Sequence, residues 1–354
     1  MPLHKIAVLG LGKVGTLAAK LLHESGFDVT GFDSRAPQEM LPFAVRTVDL
    51  GADDGIRAPT SGFDAVLSCL PYRLNARIAT AAHARGMHYF DLTEDVPTTH
   101  TIIDLSKTSR GLMAPQCGLA PGFVGIVGAA QVAAFEKCRS LRLRVGALPQ
   151  NPTGLMGYAF NWSPEGVVNE YLNDCEVIED GVRKMVSSME WIETVYVEGV
   201  MLEAFTTSGG LGTICETFHG KVANVDYKSM RYPGHMRLMN FFFHELLMRE
   251  RRELAGEILT NAKPPVNDDV VYIHVSSEGT LEGRLARREF VRAYHPITVA
   301  GAEQTAIAWT TSASVVSVIQ LVRDGALPQQ GFLKQEQIPL ERFLGTRTGR
   351  LFTA

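Results

Sequence analysis

Hydrophobic residues in this chain follow two periods, and the alternation between them lays out its elements. Ile6-Ala7-Val8-Leu9 is an unbroken apolar run, the pattern of a strand buried on both faces. Behind it Val14, Leu17, Ala18, Leu21 and Leu22 recur at helical spacing, and Gly26 stands where a left-handed residue would close that helix. Val29-Thr30-Gly31-Phe32 reads as a second strand with Asp33 at its tip. Further strands are expected at 45–50, 64–68, 88–92 and 111–115, and helices at about 75–84, closed by Gly86, and 97–108. Helical crossovers between buried strands predict an α/β fold of the Rossmann type, a doubly wound parallel sheet. Ligands of such sheets lie beyond the carboxyl ends of the strands. That rule gathers residues 10–15, Asp33, 70–72, 91–94 and 116–122 along one edge.

The pattern changes after Gly122. An apolar helix is expected at 123–135, followed by a strand-rich region that begins at 141–145. Residues 190–205, 270–276 and 289–294 carry the β-branched and aromatic side chains of sheet, with a charged helix expected around 238–253. This is a second, α+β domain. An apolar helix at 313–323, ended by Gly325, returns the chain to helix. The division expected is 1–122 for the parallel-sheet domain and 123–304 for the α+β domain. Residues 305–354 form a helical return to the first. No internal repeat or low-complexity linker interrupts it.

The turn after the first strand carries the chemistry of the first domain. Gly10, Gly12 and Gly15 stand in the G-x-G-x-x-G frame. The first glycine permits the tight turn, the second lets a pyrophosphate approach the backbone, and the third lets helix and strand pack closely. Lys13 and Val14 open the helix whose N-terminus would face the phosphates. Asp33 would bond the adenosine ribose hydroxyls and repel a 2′-phosphate, favouring NAD. Ser34 and Arg35 follow it, and Arg35 could stack on adenine or neutralise a phosphate, which keeps NADP open. Cys69, Leu70 and Pro71 after the fourth strand, and Leu92 after the fifth, complete the expected cofactor contacts.

Length and charge narrow the classes. At 354 residues the chain suits two domains, and a formal charge of −4 argues against a nucleic-acid partner. No apolar run is read as long enough to span a bilayer. The first strand begins at Lys5, which leaves no room for a leader, so a cytoplasmic protein is expected. The five cysteines are scattered without C-x-x-C spacing and the ten histidines form no H-x-x-x-H pair. No disulfide framework and no metal site are expected.

Several segments, taken in order, resemble the saccharopine dehydrogenase-like family. In the first domain these are Cys69-Leu70-Pro71-Tyr72, His88-Tyr89-Phe90-Asp91-Leu92-Thr93-Glu94 and Gly118-Leu119-Ala120-Pro121-Gly122-Phe123. In the second, Gly146-Ala147-Leu148-Pro149, the run 158–166 and Met230-Arg231-Tyr232-Pro233-Gly234-His235 are similar to the lysine 6-dehydrogenase branch. Ala147 departs from a pair of glycines expected there. The resemblance implies an NAD(P)-dependent oxidation at a C–N bond of a small amino-acid substrate. It also implies a homodimer or higher homo-oligomer built through the second-domain sheets.

Oxidising an amine requires a nicotinamide, a base, a carboxylate clamp and a dry cleft. Arg231 is the expected clamp, because its planar fork matches a carboxylate and it falls in a turn-prone segment with Tyr232 beside it. A salt bridge is the bland alternative. His235 has the intrinsic pKa of a proton acceptor, against a structural histidine. Asp91 and Glu94, at a strand end, are expected to hold the substrate ammonium, against a loop-capping role for Asp91. Thr93 lies between them. Asn161 and Trp162 precede a helix that Ser163 would cap, with Pro164 at its first position; both are candidate pocket residues, as is Thr207 in a glycine turn. Cys117 reads as packing. The activity expected is oxidative deamination of L-lysine at the ε-carbon, giving a semialdehyde that cyclises. A saccharopine dehydrogenase or related imine reductase is the alternative, and a non-catalytic NAD-binding regulator a third reading.

Overall fold

The computed structural model describes residues 3–52 and 55–353. The chain opens with β1 (Lys5–Leu9), α1 (Lys13–Glu24), β2 (Asp28–Asp33), β3 (Ala44–Thr47), β4 (Ala65–Ser68), α2 (Tyr72–Arg85), β5 (His88–Asp91), α3 (Val96–Ser106) and β6 (Leu112–Ala114). β1 pairs in parallel with β2 on one side and β4 on the other, so the order reverses beside β1. Ala7, Leu9, Phe32, Val66, Tyr89 and Met113 form the core here together with Ile78, Ala79 and Ala82 of α2. The third strand closes at Thr47 instead of reaching 50, because the chain is irregular at Val48 and Asp49 and turns from Leu50, which is buried.

α4 (Phe123–Ala133) leads into β7 (Lys137–Pro149), α5 (Pro164–Leu172), β8 (Cys175–Glu179), β9 (Val182–Val186), β10 (Glu193–Val197), β11 (Val200–Thr206), α6 (Ile214–Phe218), β12 (Asn224–Arg231), α7 (His235–Asn240), α8 (Arg252–Ala262), β13 (Asp269–Leu281) and β14 (Arg284–Tyr294). Its eight-stranded sheet runs β10-β11-β12-β7-β13-β14, with β8 on β12 and β9 on β8. The β12–β7 pair is parallel and its neighbours antiparallel. One continuous helix was expected around 238–253. Instead α7 runs into a π-turn at Phe241–Glu245, Leu247 adopts φ 56°, and a 3₁₀ turn precedes α8. A left-handed leucine cannot continue an α-helix, so the charged run is broken.

The short hairpin of β15 (Ile297–Val299) and β16 (Ala302–Gln304) precedes α9 (Ala306–Arg323), β17 (Gly331–Phe332) and α10 (Leu340–Gly345). β17 pairs in parallel with the outer side of β6, giving a seven-stranded sheet of order β17-β6-β5-β4-β1-β2-β3. Ser312 donates to the Val14 carbonyl at 2.9 Å and Gln320 to Ser25 Oγ at 2.9 Å, fixing α9 along α1. α9 is long and apolar enough to cross a bilayer, although no such run was expected, but its residues are mostly buried within the protein.

Two units result. The first holds the described chain up to Ile126, Val299–Ala302 and the chain from Ala308; the second holds Val127–Thr298 and Glu303–Ile307. Two of the divisions fall inside α4 and α9, about a turn or less beyond Gly122 and Thr305, and the other two fall in the β15–β16 hairpin.

Candidate active site

In the first unit the glycine loop has the geometry its spacing predicts. Gly10 sits at φ 84° and carries the chain out of β1. A Cβ on Gly15 would stand 1.8 Å from the Gly10 carbonyl oxygen, so only hydrogen fits there. A Cβ on Gly12 would meet nothing within 4 Å, and no side chain caps the helix that begins at Lys13. Backbone that is open on one side and ends in an uncapped helix N-terminus is a place for a pyrophosphate. Lys13 is exposed and Val14 partly so. The cofactor implied by the motif therefore fits this loop.

Asp33, at the carboxyl end of β2, accepts the Leu11 N–H at 2.7 Å on one oxygen and the Arg35 N–H at 2.9 Å on the other. These bonds aim the carboxylate at the loop and leave lone pairs for hydroxyls. Ser34 and Arg35 are exposed beside it. Cys69 and Leu70 are half-buried and Pro71 exposed at the carboxyl end of β4, with Leu92 half-buried after β5. Burial pushes the Cys69 thiol up to about 12, and it stays protonated.

Asp91 does not present a free carboxylate. It is fully buried and accepts from Tyr89 Oη at 2.8 Å, Thr93 N at 3.0 Å and Gln116 N at 3.0 Å. It latches the loops after β5 and β6 together, and Gln116 is held at φ 64° by that bond. The expected role as ammonium partner is therefore corrected to a structural one. Thr93 belongs to the same latch: its hydroxyl accepts the Asp95 N–H at 3.1 Å, and Asp95 in turn caps α3 through Thr98. Glu94 lies half-buried within this loop.

Burial raises the Asp91 carboxyl to about 6, against the opposing pull of the Thr93, Tyr89 and Gln116 bonds. A carboxyl raised in the folded state stabilises it most when protonated. That stability is present below the unfolded value of 3.8 and is lost as pH rises to about 6. The size is about 3 kcal/mol. Asp91→Asn removes the buried charge, and Tyr89 retains a bond to the Asn75 carbonyl. Thermal unfolding from acid to neutral pH is expected to show the variant gaining on the parent across that window and then running parallel. A constant difference would mean that Asp91 does not titrate there.

In the second unit, Arg231 is the last residue of β12 and not part of a turn. Its guanidinium is buried, lying 4.8 Å over the Tyr158 ring and 5.6 Å from that of Tyr171. Nε donates to Tyr171 Oη at 2.7 Å, Nη1 donates to the Met230 carbonyl at 2.9 Å, and Nη2 lies 3.7 Å from a Glu170 carboxylate oxygen. His235, the first residue of α7, is also buried. Its Nε2 is 2.9 Å from Tyr171 Oη and its Nδ1 is 2.9 Å from the Met156 carbonyl. A carbonyl only accepts, so Nδ1 carries the proton and Nε2 accepts from the tyrosine. Burial, with the Arg231 charge behind it, pushes this imidazole down to about 3. Both ring nitrogens are occupied, and His235 is corrected from proton acceptor to a neutral, fixed histidine.

The other candidates have structural partners. Tyr232 donates to the Pro149 carbonyl at 2.9 Å. Asn161 accepts the Val266 N–H at 2.7 Å, and Trp162 packs on the core. Thr207 is buried against Ser229 Oγ at 2.8 Å. Ser163 accepts the Gly166 N–H at 3.0 Å as the α5 cap, with Pro164 following. Cys117 is buried, with Gln335 donating to its sulfur. Tyr171 and Glu170 were missed by the sequence reading; in α5 Val167, Val168 and Tyr171 share one helical face and read as core. Among the described residues no group of three or more His, Cys, Asp or Glu gathers as a metal would require.

A parallel sheet with its order reversing at β1, a glycine loop at that point and an acid at the tip of β2 define a dinucleotide-binding Rossmann unit. Residues 6–114 match the family model described as the saccharopine dehydrogenase NADP binding domain, and residues 118–348 match that of the saccharopine dehydrogenase C-terminal domain. The chain belongs to the saccharopine dehydrogenase family. It is 23% identical over 206 residues to a saccharopine dehydrogenase [NADP(+), L-glutamate-forming] of Pyricularia oryzae, covering 55% of this chain and 46% of that one. The chain thus spans less than half the length of that curated relative. The fold is shared with the apo saccharopine dehydrogenase (L-Glu forming) of Saccharomyces cerevisiae, at TM-score 0.72, 15% identity and 97% coverage of each chain. It is also shared with the C. glutamicum DAP dehydrogenase in complex with DAP, at TM-score 0.51, 10% identity and coverage of 100% and 99%.

Proposed function

We propose that this chain is an NAD-linked amino-acid dehydrogenase that oxidises a C–N bond, with L-lysine at its ε-carbon as substrate. The observation that carries the reading is Arg231. Among the described residues of the second unit, Arg144 and Arg231 are the buried arginines, and Arg144 is held by Glu193 and Asp226. Arg231 has the Glu170 carboxylate 3.7 Å from Nη2, and beyond the bonds to Tyr171 and Met230 both terminal nitrogens keep further N–H groups. One such fork suits one α-carboxylate, and holding lysine by that end leaves the distal amine as the reacting group. A bound dinucleotide supplies the hydride acceptor. With the ε-ammonium proton lost to solvent and the ε-carbon hydride to that acceptor, water would hydrolyse the resulting iminium, releasing ammonium and a semialdehyde that cyclises.

Saccharopine is the second reading, favoured by the activity named for the Pyricularia relative. Its three carboxylates call for more buried cations than Arg231 alone. Absorbance at the NADH band across lysine, ornithine, saccharopine and polyamines separates the two. Reduced cofactor is expected with lysine alone, and strict dependence on a secondary amine would refute the first reading.

NAD is proposed over NADP because Asp33 stands where a 2′-phosphate would be repelled. Asp33→Ser is expected to lower kcat/KM for NAD by about tenfold, the weight of one charge-assisted hydrogen bond, while NADP gains. A parent enzyme that already prefers NADP would overturn this assignment.

A further inference from the structure

We propose that Tyr171 and His235 are positioning residues that set the orientation of the Arg231 fork toward an amino-acid carboxylate. The inference deepens the proposed function and rests on its reading of Arg231.

The chain of hydrogen bonds has one direction only. The Met156 carbonyl can only accept, so His235 Nδ1 donates to it at 2.9 Å. Nε2 is then an acceptor, and Tyr171 Oη donates to it at 2.9 Å. The tyrosine oxygen, having given its hydrogen to the ring, offers its lone pairs to Arg231 Nε–H at 2.7 Å. The polarity of each link is dictated by the one before it, starting from a backbone carbonyl that cannot change role.

The imidazole that anchors the chain is itself clamped. Phe205 stacks on it at 6.4 Å and 13°, and Tyr158 and Tyr171 meet it at 5.2 and 5.8 Å. α5, some 60 residues earlier in the chain, is thereby joined to the end of β12 and the start of α7 at one guanidinium. Pinning Nε fixes the plane of the fork, and the directions of the remaining Nη hydrogens follow from that plane. A planar group held this way loses little freedom when a carboxylate binds.

The test uses the full-length protein with whichever of L-lysine or saccharopine it turns over. Tyr171→Phe removes the hydroxyl and keeps the ring. His235→Leu leaves that hydroxyl no acceptor, whereas His235→Gln can place an amide oxygen near the Nε2 position. Tyr171→Phe and His235→Leu are expected to raise KM for the amino acid about tenfold, the loss of one charge-assisted hydrogen bond. The change in kcat is expected to be smaller and dinucleotide affinity unaltered, and His235→Gln should restore most of the KM. Thermal unfolding is measured alongside, so that a fall in KM performance that tracks stability instead of the presence of an acceptor overturns the proposal. Arg231→Lys separates the two claims. If it leaves KM unchanged, the clamp reading fails and this proposal with it. If it raises KM while Tyr171→Phe and His235→Leu do not, only the positioning role fails. No turnover of either amine overturns both.

Discussion

Gly12→Val is expected to abolish high-affinity dinucleotide binding while leaving the fold intact, and Gly15→Ala to do the reverse in order of cause. A side chain on Gly12 enters space that holds no protein atom within 4 Å, at φ −70°, where any residue is at ease. No protein atom resists it, so unfolding should shift by no more than about 0.5 kcal/mol. The side chain would stand where the pyrophosphate must approach, and affinity for NAD or NADP should fall by at least about a hundredfold, or ~2.7 kcal/mol. On Gly15 the added Cβ lies 1.8 Å from the Gly10 carbonyl oxygen. Backbone must move to admit it, which costs about 3 kcal/mol or more, and binding is lost because the loop is lost. Titration calorimetry and thermal unfolding on both variants check the pair. Equal loss of stability would refute the distinction between a glycine kept for the ligand and one kept for packing.

The second large effect is expected at Arg231. Arg231→Met removes the cation from a dry site where Glu170 lies 3.7 Å away and Tyr171 points its oxygen at Nε. Breaking a buried pair from one side is costly because the other charge stays behind, and about 3 kcal/mol of stability should be lost. Pairing it with Glu170→Gln should return a good part of that, as a double-mutant cycle in unfolding free energy would register. Amino-acid turnover should stay lost in the double variant, since a neutral site has no fork for a carboxylate. Recovery of turnover together with stability would reduce Arg231 to scaffolding.

How legible the molecule was follows the distance over which each residue's role is decided. The turn geometry of the glycine loop, the place of Asp33 at the end of β2 and the Ser163 cap depend on neighbours within a turn or a single βαβ unit, and local spacing carried them. Asp91 is different: one of its partners, Gln116, is 25 residues away, and nothing local distinguishes a latch from an exposed acid. His235 is decided by Tyr171, 64 residues away, and by Met156, 79 away, so its buried neutrality had no local signal. Tyr171 hid in the opposite way, as one more large residue on an apolar helical face. The broken helix at 241–250 was misread because charge and leucine periodicity continue through Leu247, where the backbone turns left-handed.

The strand order of the first unit has a consequence for biosynthesis. The outermost strand on one side of the parallel sheet comes from Gly331–Phe332, and α9 lies along α1 from the far part of the chain. A ribosome that has made the first six strands has therefore released an unfinished sheet with a bare margin beside Leu112–Ala114. That margin stays open to mispairing with other chains until residues past 331 emerge. Fragments ending near residue 122 would carry the same defect permanently, so expressing the nucleotide-binding part alone is expected to yield aggregates instead of a minimal cofactor-binding domain.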